Sequence, residues 1–333
     1  MRKPRIEDVA AAAGVSPMSV SRALRGIEGV SPSTSERILR AAAELDYVPD
    51  SNARALSTAR SAMVAVSLPT LFNDVFADIL FGMRRTLEQA GYATILDTSD
   101  YDTDRELAWY GRVRGWRPAA FVLTGTDHSP TLREQLRSDG LPTLEVWDVC
   151  DDPIDICVGI DHRSAGAGLG ARVAELGYRA PAFVGSAPGL DTRADRRAEG
   201  ISEAFREAGG RALTRIVVEN ENAFVAGSLG YGLLDRRDPP DVVFFLNDHM
   251  AFGGLVAALT AGDDVPGSLG IVGFNRLDLT CVLDRRITTM ETPRRQMGLA
   301  GARNLLARLH GVRPERTVTL PCRVVLGDTT RTL

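Results

Sequence analysis

The most specific chemistry in this chain lies close to its start, in Gly14-Val15-Ser16-Pro17-Met18-Ser19-Val20-Ser21-Arg22. Arg22 carries a planar fork that can hold both acceptors of a guanine edge at once. Ser16 supplies a helix cap, and Pro17 falls at the first helical position, where a missing N–H costs nothing. A helix therefore starts here and runs to about Leu24. Val15, Val20 and Leu24 can pack inward, which leaves Pro17, Met18, Ser21 and Arg22 on the outer, N-terminal part. That part reaches base edges when a helix enters the major groove of DNA.

Two further elements must position this helix. Ile6, Val9, Ala10 and Ala13 recur at helical spacing, with Glu7 and Asp8 in the first turn, and predict a helix over 6–13 that Gly14 ends. Ser31 before Pro32, with the capping-box spacing of Ser33 and Glu36, predicts a third helix burying Ile38, Ala42 and Leu45. Three short helices with a tight turn between the first two make a helix-turn-helix headpiece.

At 333 residues the chain is long enough for this headpiece and a two-part core. Residues 1–60 carry nine Lys or Arg and seven Asp or Glu, a formal +2, which leaves −6 on the remainder. DNA binding must therefore rest on the headpiece. Lys3 is the only lysine, so almost every cation is an arginine. No apolar run is long enough to span a bilayer and no export signal is evident, so a cytoplasmic protein without membrane contact is expected. Cys150, Cys157, Cys281 and Cys322 lack CxxC spacing and the four histidines do not cluster, so neither disulfides nor a metal site is expected. With no nucleotide-binding loop and no Ser/His/Asp or Cys/His arrangement, neither an enzyme nor a cofactor is expected.

Beyond the headpiece, strand-like and helix-like stretches alternate: 63–68, 76–90, 92–97, 105–113, 120–123, 132–139 and 143–146, then a helix to Leu176, 182–184, 195–208, 214–218, a helix to about Leu234, 241–246 and 250–261. This is the rhythm of βαβ units, and it predicts an α/β core of two doubly wound halves with parallel sheets. Ligands bind beyond the carboxyl ends of such strands, and two facing halves form a cleft. Periodicity alone draws one boundary, near Ile160.

The N-terminal residues closely resemble the lactose-repressor (LacI) family of bacterial transcription regulators. The resemblance runs from Ile6-Glu7-Asp8-Val9-Ala10 through Gly14-Val15-Ser16, Val20-Ser21-Arg22, Glu44-Leu45, Tyr47, Pro49 and Ala53-Arg54-Ala55-Leu56, and covers essentially the whole chain. It implies a homodimer on a pseudo-palindromic double-stranded operator, with a headpiece over 1–50 and a hinge and linker over 51–61. The hinge becomes helical on DNA, and by position Leu56 is the leucine that wedges a central base step in the minor groove. The implied DNA-contacting residues are Arg5, Ser16, Pro17, Met18, Ser19, Ser21, Arg22, Arg25, Ser31, Thr34, Asn52, Ala53, Arg54 and Leu56. Three positions depart from the family pattern. Arg5 replaces the usual threonine and Arg25 the common asparagine, both adding phosphate-seeking charge, while Asp50 replaces asparagine and puts one phosphate contact in doubt.

The same resemblance implies a periplasmic-binding-protein-like core over 62–333, crossed three times by the chain. Its N-subdomain would span about 62–160 and 292–320, its C-subdomain about 161–291 and 321–333. In this family the segment matching Asp195-Arg196-Arg197-Ala198-Glu199-Gly200-Ile201 anchors the effector through one arginine, here Arg197, whose fork suits a carboxylate or vicinal hydroxyls. Leu246-Asn247-Asp248 and Ile271-Val272-Gly273-Phe274-Asn275 match cleft-lining strand ends. Asn73, Phe76, Thr126, Trp147, Asp148 and Phe224 complete the expected effector set. Members that bind neutral sugars usually carry aspartate at the position of Asn275, and its absence removes a repulsion from an anionic ligand. Pro69 to Phe76, Glu145 to Asp148, Asp155 to Asp161 and Met297-Gly298 most resemble the gluconate-operon repressors. The expected function is a repressor of a sugar-acid catabolic operon, released from its operator by gluconate or a ketogluconate. A family member with a corepressor fits the same residues. A solute-binding protein would share the core but not the headpiece.

Overall fold

A computed structural model describes residues 4–24, 28–47, 61–220, 222–282 and 284–332. The chain divides into two compact units, Met1–Ala62 with Gly115–Pro118, and Met63–Arg114 with Ala119–Leu333.

The small unit contains α1 (Ile6–Ala13), α2 (Pro17–Leu24) and α3 (Pro32–Glu44). The Asp8 carboxylate accepts the Arg5 backbone N–H at 2.7 Å and starts α1. Gly14 ends it in the left-handed region at φ 63, which a side chain would strain. Ser16 Oγ then accepts the Ser19 N–H at 3.2 Å. Val9, Val20 and Ile38 are fully buried among Ala10, Ala13, Ala23, Ala41 and Ala42. Each of these aliphatic side chains contributes about 1.5–3 kcal/mol of burial to a small core. Arg37 Nε donates to the Ala13 carbonyl at 2.9 Å and ties α3 to the end of α1. The cap of α3 is Ser31, which accepts the Thr34 N–H at 3.3 Å. The Ser33–Glu36 spacing plays no part in it, because the helix has already begun at Pro32. Leu45 is 36% exposed at the helix end, and Ala41 takes its place in the buried face.

The large unit is built on two six-stranded sheets. The first has the order β11 (Thr317–Thr319), β5 (Ile156–Ile160), β4 (Thr143–Asp148), β3 (Ala120–Thr124), β1 (Met63–Leu68), β2 (Ala93–Thr98), all parallel. The second has the order β12 (Arg323–Val325), β10 (Thr288–Glu291), β9 (Gly270–Asn275), β8 (Val242–Phe245), β6 (Pro181–Gly185), β7 (Thr214–Val217). Here only β12 runs antiparallel to its neighbour. The inner strands β3, β4, β5, β6, β8 and β9 are buried along their whole length, hence their mostly apolar sequences, with Glu145 and Asp148 of β4 and Asn275 of β9 as polar exceptions.

Helices cover both sheets. In the first half α4 (Asp74–Gln89) and α12 (Arg294–Leu309) pack together on one face, and α5 (Thr103–Val113) and α6 (Pro130–Asp139) cover the other. In the second half α7 (His162–Glu175) pairs with α8 (Thr192–Glu207), and α9 (Ala223–Gly232) with α10 (Asp248–Ala261), and a short α11 (Leu279–Val282) follows β9. Gly166 and Gly200 set the α7–α8 distance: a Cβ on Gly166 would lie 2.2 Å from the Arg197 carbonyl, and one on Gly200 2.1 Å from the Arg163 carbonyl. The chain passes between halves three times, after β5, after β10 and between β11 and β12.

Candidate functional site

In the large unit the strand ends converge on a cleft made of two adjoining cavities. The inner one, about 70 Å³, is lined by Asn73, Val75, Phe76, Tyr101, Trp147, Asp191, Arg193, Arg197, Leu246, Asn247 and Asn275. The second, about 190 Å³, is lined by Ser99, Asp102, Thr103, Glu106, Thr124, Gly125, Asp127, His128, Asp148 and Thr192 among others. Tyr101 and Arg193 line both and form the neck between them.

Arg197, on α8, is 5% exposed, and its guanidinium sits over Phe274 with Cζ 4.5 Å from the ring centroid. Nη1 is 3.3 Å from His162 Nδ1, Nη2 reaches the Leu246 carbonyl only at 3.5 Å, and Nε has no partner. Among the described residues no carboxylate comes within ion-pair distance of it. The second arginine, Arg193, is matched. Its Nε donates to Asp191 at 3.0 Å, and its Cζ sits 5.6 Å from the Tyr101 ring. Asp191 also caps α8 through the Arg193 and Ala194 N–H groups. Burial alone would raise the Asp191 pKa, but Arg193 and Arg197 overcome it and hold the carboxyl down at about 2.

Three lining residues sit in strained backbone. Tyr101 has φ 63, Trp147, which precedes the last residue of β4, has φ 87, and Asn275, the last of β9, has φ 111. Non-glycine residues are rare there, and such strain concentrates at ligand sites. Trp147 is thereby placed edge-on to Phe76, centroids 6.5 Å apart, and Asn275 presents a buried Oδ1 with no partner.

Polar contacts span the cleft at its rim. Asp127 of the first half accepts from Thr192 and lies 3.8 Å from Arg196, while Asp74 is 3.4 Å from His249. In the wall of the second cavity His128 places Nδ1 2.7 Å from Glu106 and Nε2 3.0 Å from the Gly125 carbonyl. Both ring nitrogens face acceptors, an arrangement that favours the protonated ring. Burial opposes the charge, but Glu106 and Glu145 outweigh it and raise the pKa.

Of the residues singled out from sequence, Asn73, Phe76, Trp147, Arg197, Asn247 and Asn275 line the inner cavity and Asp148 the second. Two do not line either. Thr126 is flanked by lining residues Gly125 and Asp127 but is not itself in the wall. Phe224 begins α9 and borders a separate apolar groove with Val225, Phe252 and Val256, its ring 5.6 Å from Phe252. Asp248 does not face the cleft despite its neighbour Asn247. It is fully buried, accepting Thr289 Oγ1 at 2.7 Å and the Leu277 N–H at 2.8 Å. Sequence reasoning passed over Tyr101, Asp191, Arg193 and His162. For Arg193 a signal existed, since it stands one helical turn before Arg197 on the same face.

In the small unit Arg5, Ser16, Pro17, Met18, Arg22 and Ser31 are exposed, and Ser19, Ser21 and Thr34 are half-buried. Met18 is 65% exposed at the start of α2. Arg25, Asn52, Ala53, Arg54 and Leu56 lie outside the described residues, as does Asp50. Among the described residues no helix is long and apolar enough to cross a membrane, and no cluster of His, Cys, Asp and Glu could hold a metal ion.

Residues 5–50 match the model of bacterial regulatory proteins of the lacI family, and residues 171–330 that of the periplasmic binding protein-like domain. The HTH-type transcriptional regulator GntR of Escherichia coli K12 is 33% identical over 314 residues, 93% of either chain. A crystal structure of a LacI-family transcriptional regulator from Silicibacter pomeroyi is 35% identical, covers 99% of this chain and 100% of its own, and superposes with a TM-score of 0.89. The structure of the transcription regulator GntR from Chromobacterium violaceum is 30% identical over 80% of this chain and 99% of its own, with a TM-score of 0.73. A helix-turn-helix headpiece joined to a two-sheet ligand-binding core, with relatives matched along almost its full length, makes this chain a member of the LacI family of DNA-binding transcriptional regulators, which are not enzymes.

Proposed function

We propose that this protein represses a carbohydrate catabolic operon and leaves its operator when a sugar acid of the gluconate or ketogluconate type fills the cleft. The observation that carries this reading is Arg197. It is a buried cation with an unpartnered Nε, set at a strand-end cavity whose asparagines Asn73, Asn247 and Asn275 can serve hydroxyls. A ligand carboxylate supplies the missing anion. An aspartate at position 275 would repel that anion, and the asparagine there does not. The resemblance to gluconate-operon repressors and the GntR name of two relatives support the same class.

The headpiece reads the operator through α2. Arg22 forks onto a guanine and Met18 presents an apolar surface for a thymine methyl, with Pro17, Ser19 and Ser21 alongside. Ser16, Ser31, Thr34 and Arg5 contact phosphates, and Arg25 and the hinge residues Asn52, Ala53, Arg54 and Leu56 extend the interface along the duplex. Two copies are required for a pseudo-palindromic site. The exposed apolar strip along α9 and α10 supports a homodimer: Phe224, Val225, Leu229, Val256 and Leu259 are each 40–48% exposed.

Effector binding releases DNA only if the effector prefers the released conformation. Calorimetric titration with gluconate, 2-ketogluconate and their neutral parent sugars, together with operator binding by fluorescence anisotropy, tests the reading. Binding of an acid but not its neutral counterpart, with loss of operator, supports it. Binding of neutral sugars alone overturns the sugar-acid assignment, and tighter operator binding with the acid overturns induction in favour of corepression.

A further inference from the structure

His162 is buried behind Trp147 and Arg197 of the inner cavity's wall and has no part in the proposed function. It is the first residue of α7, two positions past the end of β5, where the chain first crosses between halves. Its ring is 2% exposed, edge-on to Trp147 with centroids 5.1 Å apart, and 6.3 Å from Phe274. Nε2 lies 2.8 Å from Asp148 Oδ1, on the strand end of the first half, and Nδ1 lies 3.3 Å from Arg197 Nη1, on α8 of the second.

These partners fix the ring chemistry. A guanidinium offers only donors, so the nitrogen facing it holds the lone pair. A carboxylate offers only acceptors, so the nitrogen facing it carries the hydrogen. The ring is therefore neutral and in the Nε2–H tautomer. Burial favours that state, and Arg197 and Arg193 reinforce it against the pull of Asp148.

We propose that His162 is a positioning residue for effector binding, holding the Arg197 fork toward the cavity and coupling it to Asp148 across the two halves of the core. The proposal rests on the effector role assigned to Arg197. Contact with the Phe274 ring does not fix the rotation of the guanidinium in its own plane; of the two hydrogen bonds that can, the one to the His162 lone pair is the shorter, 3.3 Å against 3.5 Å to the Leu246 carbonyl. On the other side, neither oxygen of the buried Asp148 carboxylate has a well-aligned hydrogen-bond donor, the His162 contact being close but bent. Its remaining acceptor capacity faces the second cavity, which Asp148 lines. A ligand carboxylate on Arg197 and a ligand hydroxyl on Asp148 thus flank one ring, and drawing either group drags the other half with it.

The test uses the full-length protein. With ¹⁵N-labelled histidine, long-range ¹H–¹⁵N correlation at pH 7 is expected to show one ring, absent in His162→Gln, with Nε2 protonated and Nδ1 bare, and its Nδ1 signal should move on saturation with gluconate. By calorimetry, His162→Phe keeps the ring packing but is expected to lose roughly 10- to 100-fold in gluconate affinity, the worth of a hydrogen bond to a charged group. His162→Gln, whose amide offers one acceptor and one donor at similar spacing, should stay within about threefold of wild type, and both should keep operator affinity. An imidazolium or Nδ1–H ring at position 162, an unaffected His162→Phe, or a His162→Gln as weak as the phenylalanine each overturns the proposal. Should His162→Phe not fold, the tautomer and its response in the wild type decide. A wild type that binds no sugar acid overturns the effector reading itself, and the positioning role with it.

Discussion

Arg197→Gln isolates the interaction on which the effector assignment depends. In the wild type the guanidinium is 5% exposed and no carboxylate of the described residues reaches it, so a ligand carboxylate would be its first close anion. Removing one partner of a buried, charge-assisted pair costs about 2–5 kcal/mol, which is roughly a 30- to 5,000-fold rise in Kd. Glutamine keeps a donor and much of the stem, which places the expected loss toward the lower end. The unliganded protein should lose little stability, because a buried cation with no carboxylate at ion-pair distance is itself unfavourable. The loss should be specific to charge: gluconate weakens at least 30-fold, whereas any affinity for the corresponding polyol changes by less than about threefold. Paired calorimetric titrations of both proteins with both ligands, with thermal unfolding as a control, measure this directly. Equal losses for acid and polyol would mean that Arg197 shapes the cavity without meeting a carboxylate. No loss for either would remove it from the site.

Three other outcomes follow from the same structure. Arg22→Ala should weaken binding to the specific operator by about 1–3 kcal/mol, roughly 5- to 150-fold, and relax preference at one base pair while leaving gluconate affinity intact; anisotropy with operator variants measures both. Leu229→Asp, which puts a charge on an apolar strip where the leucine is 48% exposed, should convert dimer to monomer in sedimentation velocity and depress operator affinity, whereas an unchanged dimer would place the interface elsewhere. Burial pushes the Asp248 carboxyl from 3.8 up to about 6. Because the folded value is the higher one, its contribution to stability is complete below about pH 3.8 and is lost as pH rises through 6, a span of about 3 kcal/mol. Asp248→Asn should flatten that part of the stability profile in urea titrations between pH 4 and 7, and a profile matching wild type would show that the carboxyl titrates normally.

The central strands could be read from sequence because parallel strands covered on both faces are largely apolar runs, as in Ala120–Thr124 and Val242–Phe245. The interleaving of the halves could not. It depends on β10, β11 and β12, which are only three or four residues long and carry no usable period, so periodicity drew one boundary near Ile160 and the family resemblance supplied the rest. The cleft divides along similar lines. Arg197 and the strand-end asparagines stand in recognisable segments. His162 and Tyr101 acquire meaning only from what the fold brings to them: His162 meets Asp148 from a different strand, and Tyr101 lies beneath an arginine of the opposite half. Phe224 shows the converse. A ring at a helix start could stack on a sugar, but packing against Phe252 turns it to the apolar groove. Asp248 differs from Asn247 by one residue, and that step carries its side chain away from the cavity to the Leu277 N–H and Thr289.

The three passages between halves also govern the order in which the protein can fold during synthesis. The first sheet receives its edge strand β11, and the helix α12 that covers α4, only after the body of the second half has been made. Met297, Ala302 and Leu305 of α12 are fully buried, and a Cβ on Gly298 would lie 2.0 Å from the Ile79 carbonyl of α4, so this seam is tight once formed. Until α12 and β11 emerge from the ribosome, Ile79, Met83 and Leu87 lack their cover, and the nascent first half is a sheet with an open apolar face and a free edge. A chain truncated after Glu291 would deprive the first half of α12 and β11 and the second of β12. Neither half is thus a finished product on its own, and the release of the last strands closes both at once.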